Sequence, residues 1–252
     1  MKNFTFNRKV MVLIVKKKLI IIFFVFLIIG LLSFQNYYTV PFADTYGEHF
    51  AINYLDPGLH FTMDEYFIPI YWFVFHFIVI YLASSTVWRQ HIELGTQEIF
   101  FVKDRNEYFI VKMFSTMLLA FLISLLIILP FFLSIVFFTR DNPVWIYRFS
   151  RLFLSLIVEN MILTAFVFIF SLYVGYRISS ILVFLYLFFV TLIPSPFLLG
   201  QGSLLMRQDF IDPEGFTKIQ VVLPLIVFYI FCLFLLLYKS SRYDFLGERD
   251  EV

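Results

Sequence analysis

Charged residues are scarce in this 252-residue sequence: they make up 15% of it, against 61% hydrophobic residues. The mean hydropathy is +0.88. No polar stretch is long enough for a separate soluble domain, which typically needs at least about 50 residues. Soluble globular proteins do not have this balance. We therefore interpret residues 1–252 as a single membrane-embedded domain.

Two further scarcities exclude whole classes of function. The formal net charge is only +1 and the cations form no single patch, which excludes nucleic acid as a partner. The single cysteine, Cys232, excludes an intrachain disulfide and a four-thiolate metal site. Because Cys232 lies in an apolar run, we interpret it as a small buried hydrophobe.

Catalytic motifs are missing as well. None of the nine glycines is followed by lysine, so there is no phosphate-binding loop and energy would have to come from another chain. None of the four histidines begins an H-E-x-x-H zinc motif. The apolar runs contain no aspartate for an intramembrane carboxylate pair. The sequence predicts no enzyme, no metal site and no cofactor bound by this chain.

Long apolar runs are what the sequence does have. A helix needs about 20 apolar residues to cross a bilayer. Runs of that order occur at Leu19–Tyr37, Tyr66–Thr86, Met113–Phe138, Leu152–Val174, Ile181–Leu199 and Val221–Tyr238. Stretches such as Ile123–Phe132 are apolar on nearly every side, which favours helices over the alternating strands of a barrel. The pattern predicts an all-α protein with six transmembrane helices.

Prolines and glycines modify this pattern at two places. Pro130 in the third run, and Pro194 and Pro196 in the fifth, remove backbone donors and are expected to kink or interrupt the helices. The connection Gly200–Gln220 combines glycines, a proline and mixed charges, which favours a folded or re-entrant turn.

The distribution of cations predicts the orientation. With an inside amino terminus, 14 of the 19 Lys and Arg residues fall on the inner side. This asymmetry satisfies the positive-inside rule and predicts that both termini are cytoplasmic. No small-residue cleavage site follows the first run, so we expect an uncleaved helix preceded by a charged amphipathic helix at Met1–Lys18.

The segment Trp88–Lys112, between the second and third runs, is too long for a turn and too charged for a span. Apolar residues are interspersed with charged ones in this segment, which predicts a short amphipathic helix at the membrane surface. Two interpretations stay open: the helix docks onto a partner protein, or it faces lipid without a partner.

The order of residues in this segment resembles the permease subunits of type 2 ATP-binding-cassette (ABC) transporters. In that family an acidic residue, a Gly-Thr pair and a second acidic residue lead through a basic turn to a lysine that opens the third helix. The matching residues are Glu93, Gly95, Thr96, Glu98, Lys103, Arg105 and Lys112. The family commonly has a proline before the basic turn, and Val102–Arg105 contains none.

The resemblance implies a function and partners. Glu93–Arg105 would be the coupling helix that contacts an ABC ATPase, and two permeases would work with two ATPases, which bind the ATP and Mg. The second permease would be another copy or a related chain, in the bacterial cytoplasmic membrane and in contact with its lipids. We expect export of an amphipathic or antimicrobial peptide, or of another hydrophobic substrate. Reversing the charge of Glu93 or enlarging Gly95 is expected to uncouple transport without disturbing the fold.

Two titratable residues lie inside the predicted spans. His76 is near the middle of the second and Glu159 about two turns into the fourth, where a carboxylate is costly unless it is paired. Their predicted depths differ by roughly 5 Å at the helical rise of about 1.5 Å per residue. Glu159, with the adjacent Asn160, either lines a substrate cavity or links helices, and His76 either joins it in function or makes an interhelical hydrogen bond.

Two other functions remain as alternatives. His76 and Glu159 are compatible with a proton relay in an ion-coupled secondary transporter. The predicted outer loop Tyr38–Glu65 holds five acidic residues and no Lys or Arg, which is compatible with an immunity protein that captures a cationic peptide without transporting it.

Overall fold

The computed structural model of the chain describes residues 20, 23–26, 28–29, 69–99, 102, 104–138, 143–204, 207–209 and 215–243. The predicted amphipathic helix Met1–Lys18, the acidic loop Tyr38–Glu65 and Lys103 lie outside these residues. Within the first predicted span only seven residues are described, and they are helical. Phe26 among them packs against Phe75 and Phe131, with ring centroids 5.4 and 6.0 Å apart.

The described part of the chain is helical and has the character of a membrane protein. Its helices are α1 Ile70–Glu98, α2 Arg105–Phe138, α3 Pro143–Val174, α4 Tyr176–Leu192 and α5 Lys218–Ser240, with a 3₁₀ turn at Gln201–Ser203 before α5. Four are long and apolar enough to cross a membrane, over Ile70–Gly95, Arg105–Leu133, Ile146–Val174 and Lys218–Ser240. The fifth, α4, is a shorter apolar helix.

The helices run back and forth between two ends of the molecule. The Tyr243 end is named after the residue three positions beyond α5. There Tyr243 hydrogen-bonds His91 near the end of α1, and Tyr176 at the start of α4 stacks on Trp88. At the opposite Gly202 end, the connection between α4 and α5 folds back over α3. The core lies between these two polar ends.

Helix α1 differs from the prediction. The apolar run Tyr66–Thr86 was expected to end before a separate coupling helix, but one helix continues from Ile70 through Glu98. Hydropathy indicates which residues are suited to lipid, but it does not determine where a helix ends. A helix continues as long as its backbone hydrogen bonds can form, and residues 87–98 contain no proline to interrupt them. The first part of the predicted coupling helix, Glu93–Glu98, is therefore the carboxyl-terminal part of α1, whereas Arg105, its last residue, begins α2.

Helix α3 is the centre of the packing. It contacts α1, α2, α4, α5 and the 3₁₀ turn. In contrast, α5 buries only Leu225, Cys232, Leu236 and Ser240, which lie on one narrow stripe, and exposes most of its other apolar side chains. The burial of Cys232 agrees with its interpretation as a small hydrophobe. A hydrophobic helix with so narrow a buried stripe requires an apolar solvent for its remaining surface.

Helix α4 ends where the prolines predicted an interruption. The last helical residue is Leu192, two positions before Pro194. The carbonyl groups left without helical partners are bound by two side chains of the connection: Arg207 donates to Val190 O (2.9 Å) and Thr191 O (2.5 Å), and Gln201 donates to Val190 O (2.9 Å). The described residues of the connection are therefore folded against the end of α4. Pro130, in contrast, does not interrupt α2.

Arg207 is expected to stabilise the end of α4. Arg207→Gln removes the guanidinium donors from the last carbonyls of the helix and should lower the free energy of unfolding by about 2 kcal/mol. Thermal unfolding in detergent measures this change. Arg242→Gln, on an exposed side chain that packs against Tyr238, is the control. Equal stability of the two variants would contradict the capping role.

Candidate functional site

The predicted site residues His76, Glu159 and Asn160 come together inside the helix bundle. His76 lies on α1 and the other two on α3, and none is more than 1% exposed. Trp72 of α1 and Ser203 of the 3₁₀ turn complete what we call the His76–Glu159 cluster. His76 Nε2 lies 3.9 Å from Glu159 Oε2. The proximity that the sequence left open is therefore present.

Hydrogen bonds fix the orientation of His76. Its Nδ1 lies 2.8 Å from the side-chain oxygen of Asn160, so Nδ1 is the donor. Nε2 then faces the Glu159 carboxyl beyond hydrogen-bonding distance, and the Trp72 ring lies edge-on to the imidazole at 4.5 Å. A further proton on either Nε2 or the carboxyl group makes this contact attractive.

Glu159 holds the connection between α4 and α5 against α3. Its Oε1 accepts a hydrogen bond from Gly202 N at 2.9 Å, and its Oε2 accepts one from the Ser203 hydroxyl. Ser203 in turn accepts a hydrogen bond from Trp72 Nε1 at 2.8 Å. A Cβ at Gly202 would lie 2.4 Å from Val221 and 2.9 Å from Glu159 Oε1, so only glycine permits this approach. The arrangement favours the helix-linking interpretation of Glu159.

Trp72, Gly202 and Ser203 were not among the predicted site residues. A carboxylate inside a span signals that some donor must reach it, and Gly200-Gln-Gly-Ser signals a tight turn. Neither feature of the sequence indicates that Glu159 and this turn are in contact, because Gly202 lies more than 40 positions after Glu159 in the chain.

Of the predicted coupling residues, Glu93 is exposed, whereas Gly95 and Glu98 are packed at the Tyr243 end. Glu93 is exposed and pairs with Arg89 one helical turn earlier, at 2.6 Å. Glu98 is only 12% exposed, because it pairs with the fully buried Lys112 of α2 at 2.6 Å and accepts a hydrogen bond from Gln90 at 2.9 Å. The side chain of Thr96, like Lys103, lies outside the described residues.

Gly95 belongs to the packing of this end. A Cβ there would lie 2.9 Å from the Tyr108 hydroxyl and 3.3 Å from His91 Nδ1, so a bulky residue at this position requires these two side chains to shift. His91 bridges Tyr108 and Tyr243 with two contacts of 2.8 Å. Arg105 donates to the Tyr243 carbonyl at 3.4 Å. These contacts fasten α1, α2 and the end of α5 into one junction.

Comparisons with known proteins add no identity. No family model, no curated protein and no solved structure matches this chain. Within the described residues, no group of three His, Cys, Asp or Glu side chains is arranged to hold a metal ion.

Glu159 is expected to contribute strongly to stability. Glu159→Ala leaves the Gly202 N–H and the Ser203 hydroxyl without their acceptor and should lower the free energy of unfolding by about 3 kcal/mol. Glu159→Gln retains one acceptor oxygen and should cost less. Unfolding in detergent measures both changes, with the exposed Glu93→Gln as control. A Glu159→Ala variant as stable as this control would contradict the linking role.

The buried pair Glu98–Lys112 is expected to behave differently from the exposed pair Arg89–Glu93. Glu98→Gln strands a buried cation, so a double-mutant cycle with Lys112→Met should give a coupling energy of about 2 kcal/mol. The matched cycle of Arg89→Gln and Glu93→Gln should give a much smaller coupling energy, because both side chains are exposed to solvent. The same unfolding measurement serves both cycles, and equal coupling energies would show that burial of Lys112 has no effect.

Proposed function

We propose that this chain is the membrane-embedded permease subunit of a type 2 ABC exporter that works with separate ATPase subunits. The observation that carries the proposal is the junction at the Tyr243 end, where an exposed charged surface belongs to the same rigid helix as the buried core. The resemblance of Glu93–Arg105 to the family's coupling segment supplies the identity of the partner.

The junction is suited to transmit force. A partner that presses on the exposed Arg89–Glu93 face acts on α1 directly, since these residues are within that helix. The ion pair Glu98–Lys112 passes the displacement to α2, and His91 passes it to Tyr243 beyond α5. Hinge and shear motions depend on packed elements of this kind, which move as units.

The proposal includes six spans with both termini in the cytoplasm of a bacterial cell. The four long helices would be joined by α4, whose 17 residues extend about 26 Å, and by the apolar run Leu19–Tyr37. The Tyr243 end would face the cytoplasm. In support, more of the described Lys and Arg residues belong to the Tyr243 end than to the Gly202 end, as the positive-inside rule favours.

The substrate we propose is an amphipathic or antimicrobial peptide, or another hydrophobic molecule. The substrate would pass between two copies of the permease, or between this chain and a related one, along the apolar faces of their helices. His76, Glu159 and Asn160 are closed off from solvent in the single chain, so a role in the pathway requires that the Gly202 end opens. The ATP and Mg would be bound by the partner ATPases.

A second candidate is an ion-coupled transporter, and one observation favours it. His76 Nε2 and Glu159 Oε2 face each other at 3.9 Å inside the bundle, where uptake of one proton changes repulsion into attraction and its release reverses the change. Proton-driven flux in vesicles that contain this chain alone would favour this candidate. The immunity alternative depends on the loop Tyr38–Glu65, outside the described residues.

The exposed face of α1 is expected to be the ATPase contact. Glu93→Lys should reduce the amount of co-purified ATPase and the export rate about tenfold, because it reverses a charge at the interface. The double variant Arg89→Glu/Glu93→Arg restores the intrahelical ion pair but exchanges the positions of the two charges. Its ATPase binding and export should therefore remain impaired. This control separates loss of the contact from loss of helix stability. Wild-type export in both variants would contradict the assignment.

Affinity purification from native cells in mild detergent tests the proposal itself. Mass spectrometry should identify an ABC ATPase in the purified complex, with vanadate-sensitive ATP hydrolysis. Reproducible purification without an ATPase would overturn the exporter proposal and favour the ion-coupled candidate.

A further inference from the structure

A partly open cavity of about 590 Å³ lies at the Tyr243 end, where α3 gives way to α4. It is bordered by Trp88 of α1, by residues 171–178 and by Lys239 near the end of α5. Four helices thus meet around it. Because the candidate spans end here, at Gly95, Val174 and Ser240, the cavity lies at the level where a membrane's hydrocarbon meets its headgroups.

The charge of the cavity has one sign. Its lining contains two cations, Arg177 and Lys239, and no acidic residue. In the described part of the chain neither cation forms an ion pair with a carboxylate. Lys239 instead lies over the rings of Tyr173 and Tyr243, 5.2 and 5.9 Å from their centroids. Two cations in one cavity, with no carboxylate partner among the described residues, favour an anionic ligand.

The backbone adds to this preference. Helix α4 begins at Tyr176 directly after Gly175, which has a φ of 81° and provides no side-chain cap. The first N–H groups of a helix have no intrahelical partner and carry the positive end of its dipole. Here they border the same cavity as Arg177 and Lys239. Donors and charges therefore converge, as in sites that bind phosphate groups.

The surroundings favour a lipid over a soluble phosphate. Val174 and Ile178 at the rim are exposed apolar residues. From Ile178 an exposed strip continues along α4 through Ile181, Leu182 and Leu185, at the three- and four-residue spacing of a single helix face. An acyl chain can lie along this strip while its headgroup reaches the cavity. Trp88, Tyr173 and Tyr176 supply the aromatic rings typical of the membrane interface.

We infer that the cavity between Trp88, Arg177 and Lys239 binds the phosphate headgroup of an anionic phospholipid. Arg177 and Lys239 contact the phosphate together with the amino terminus of α4, and the acyl chains follow the exposed face of α4. This site is separate from the His76–Glu159 cluster and does not depend on the exporter proposal.

Lipid competition in the full-length protein tests the inference. The purified chain is titrated with phosphatidylglycerol and with phosphatidylcholine, and native mass spectrometry counts the bound lipids. The wild-type protein should retain phosphatidylglycerol preferentially. Since each cation near an anionic lipid contributes about a fivefold preference, Arg177→Gln/Lys239→Gln should reduce the preference about 25-fold. Arg242→Gln, which removes a cation from the same end but outside the cavity lining, should retain it.

Two results would overturn the inference. One is a wild-type protein without preference for phosphatidylglycerol, and the other is an equal loss in the Arg242→Gln control, which would indicate general attraction to the basic end. Glycerol phosphate is titrated separately. If it binds as tightly as phosphatidylglycerol, the ligand of the cavity is a soluble phosphate ester, which contradicts the proposal of a lipid.

A second measurement does not depend on the variants folding. Phosphatidylglycerol with a photoreactive headgroup is cross-linked to the wild-type protein, and the labelled peptides are identified. Labels on the peptides that contain Trp88 and Tyr173–Arg177 are expected. Labels confined to other parts of the chain would place the lipid elsewhere and reject the site.

Discussion

The carboxyl group of Glu159 has to be satisfied inside an apolar bundle, and much of the structure follows from that requirement. A carboxylate in such surroundings is costly unless donors reach it. The donors come from Gly202 and Ser203, which brings the chain after α4 back over α3. That return places a glycine where no Cβ fits and gives Trp72 its hydrogen-bond partner. One buried charge thus positions three segments of the chain.

Polar contacts are concentrated at two levels, with apolar packing between them. Near the Gly202 end, Glu159 joins α3 to the connection and faces His76 of α1. Near the Tyr243 end, Lys112 and His91 join α1 to α2 and to Tyr243 beyond α5. Apolar side chains find similar surroundings in lipid and inside the bundle, whereas hydrogen bonds and ion pairs need specific partners at specific heights. Directional bonds at both levels therefore fix the relative heights of the helices.

Much of the fold could be predicted from the sequence because membrane solvation leaves a simple signal. Apolar runs identified the helices and Pro194 the end of α4. The prediction was wrong where it used hydropathy to place the end of a helix, because backbone hydrogen bonds decide where a helix ends. Hydropathy placed the end of the second span at Thr86, but backbone hydrogen bonds carry α1 to Glu98. The six-span count and the first span stay predictions.

The candidate site was predictable only in part. His76, Glu159 and Asn160 stood out because polar groups inside a span are rare, and they do meet. The coupling segment was read from local order alone, which cannot show that Glu98 is paired with Lys112 or that Gly95 touches Tyr108. Such pairings depend on how separate helices pack.

The separation of Glu159 from its donors has a consequence for the synthesis of the chain. Gly202 follows Glu159 by 43 positions, so at a translation rate of about 5–20 residues per second the carboxyl group waits roughly 2–9 seconds for them. His76 precedes it in the chain and is already available. During this interval His76 is the polar group facing Glu159 that has already been synthesised, so we expect α3 to pack beside α1 before the last helix has left the ribosome.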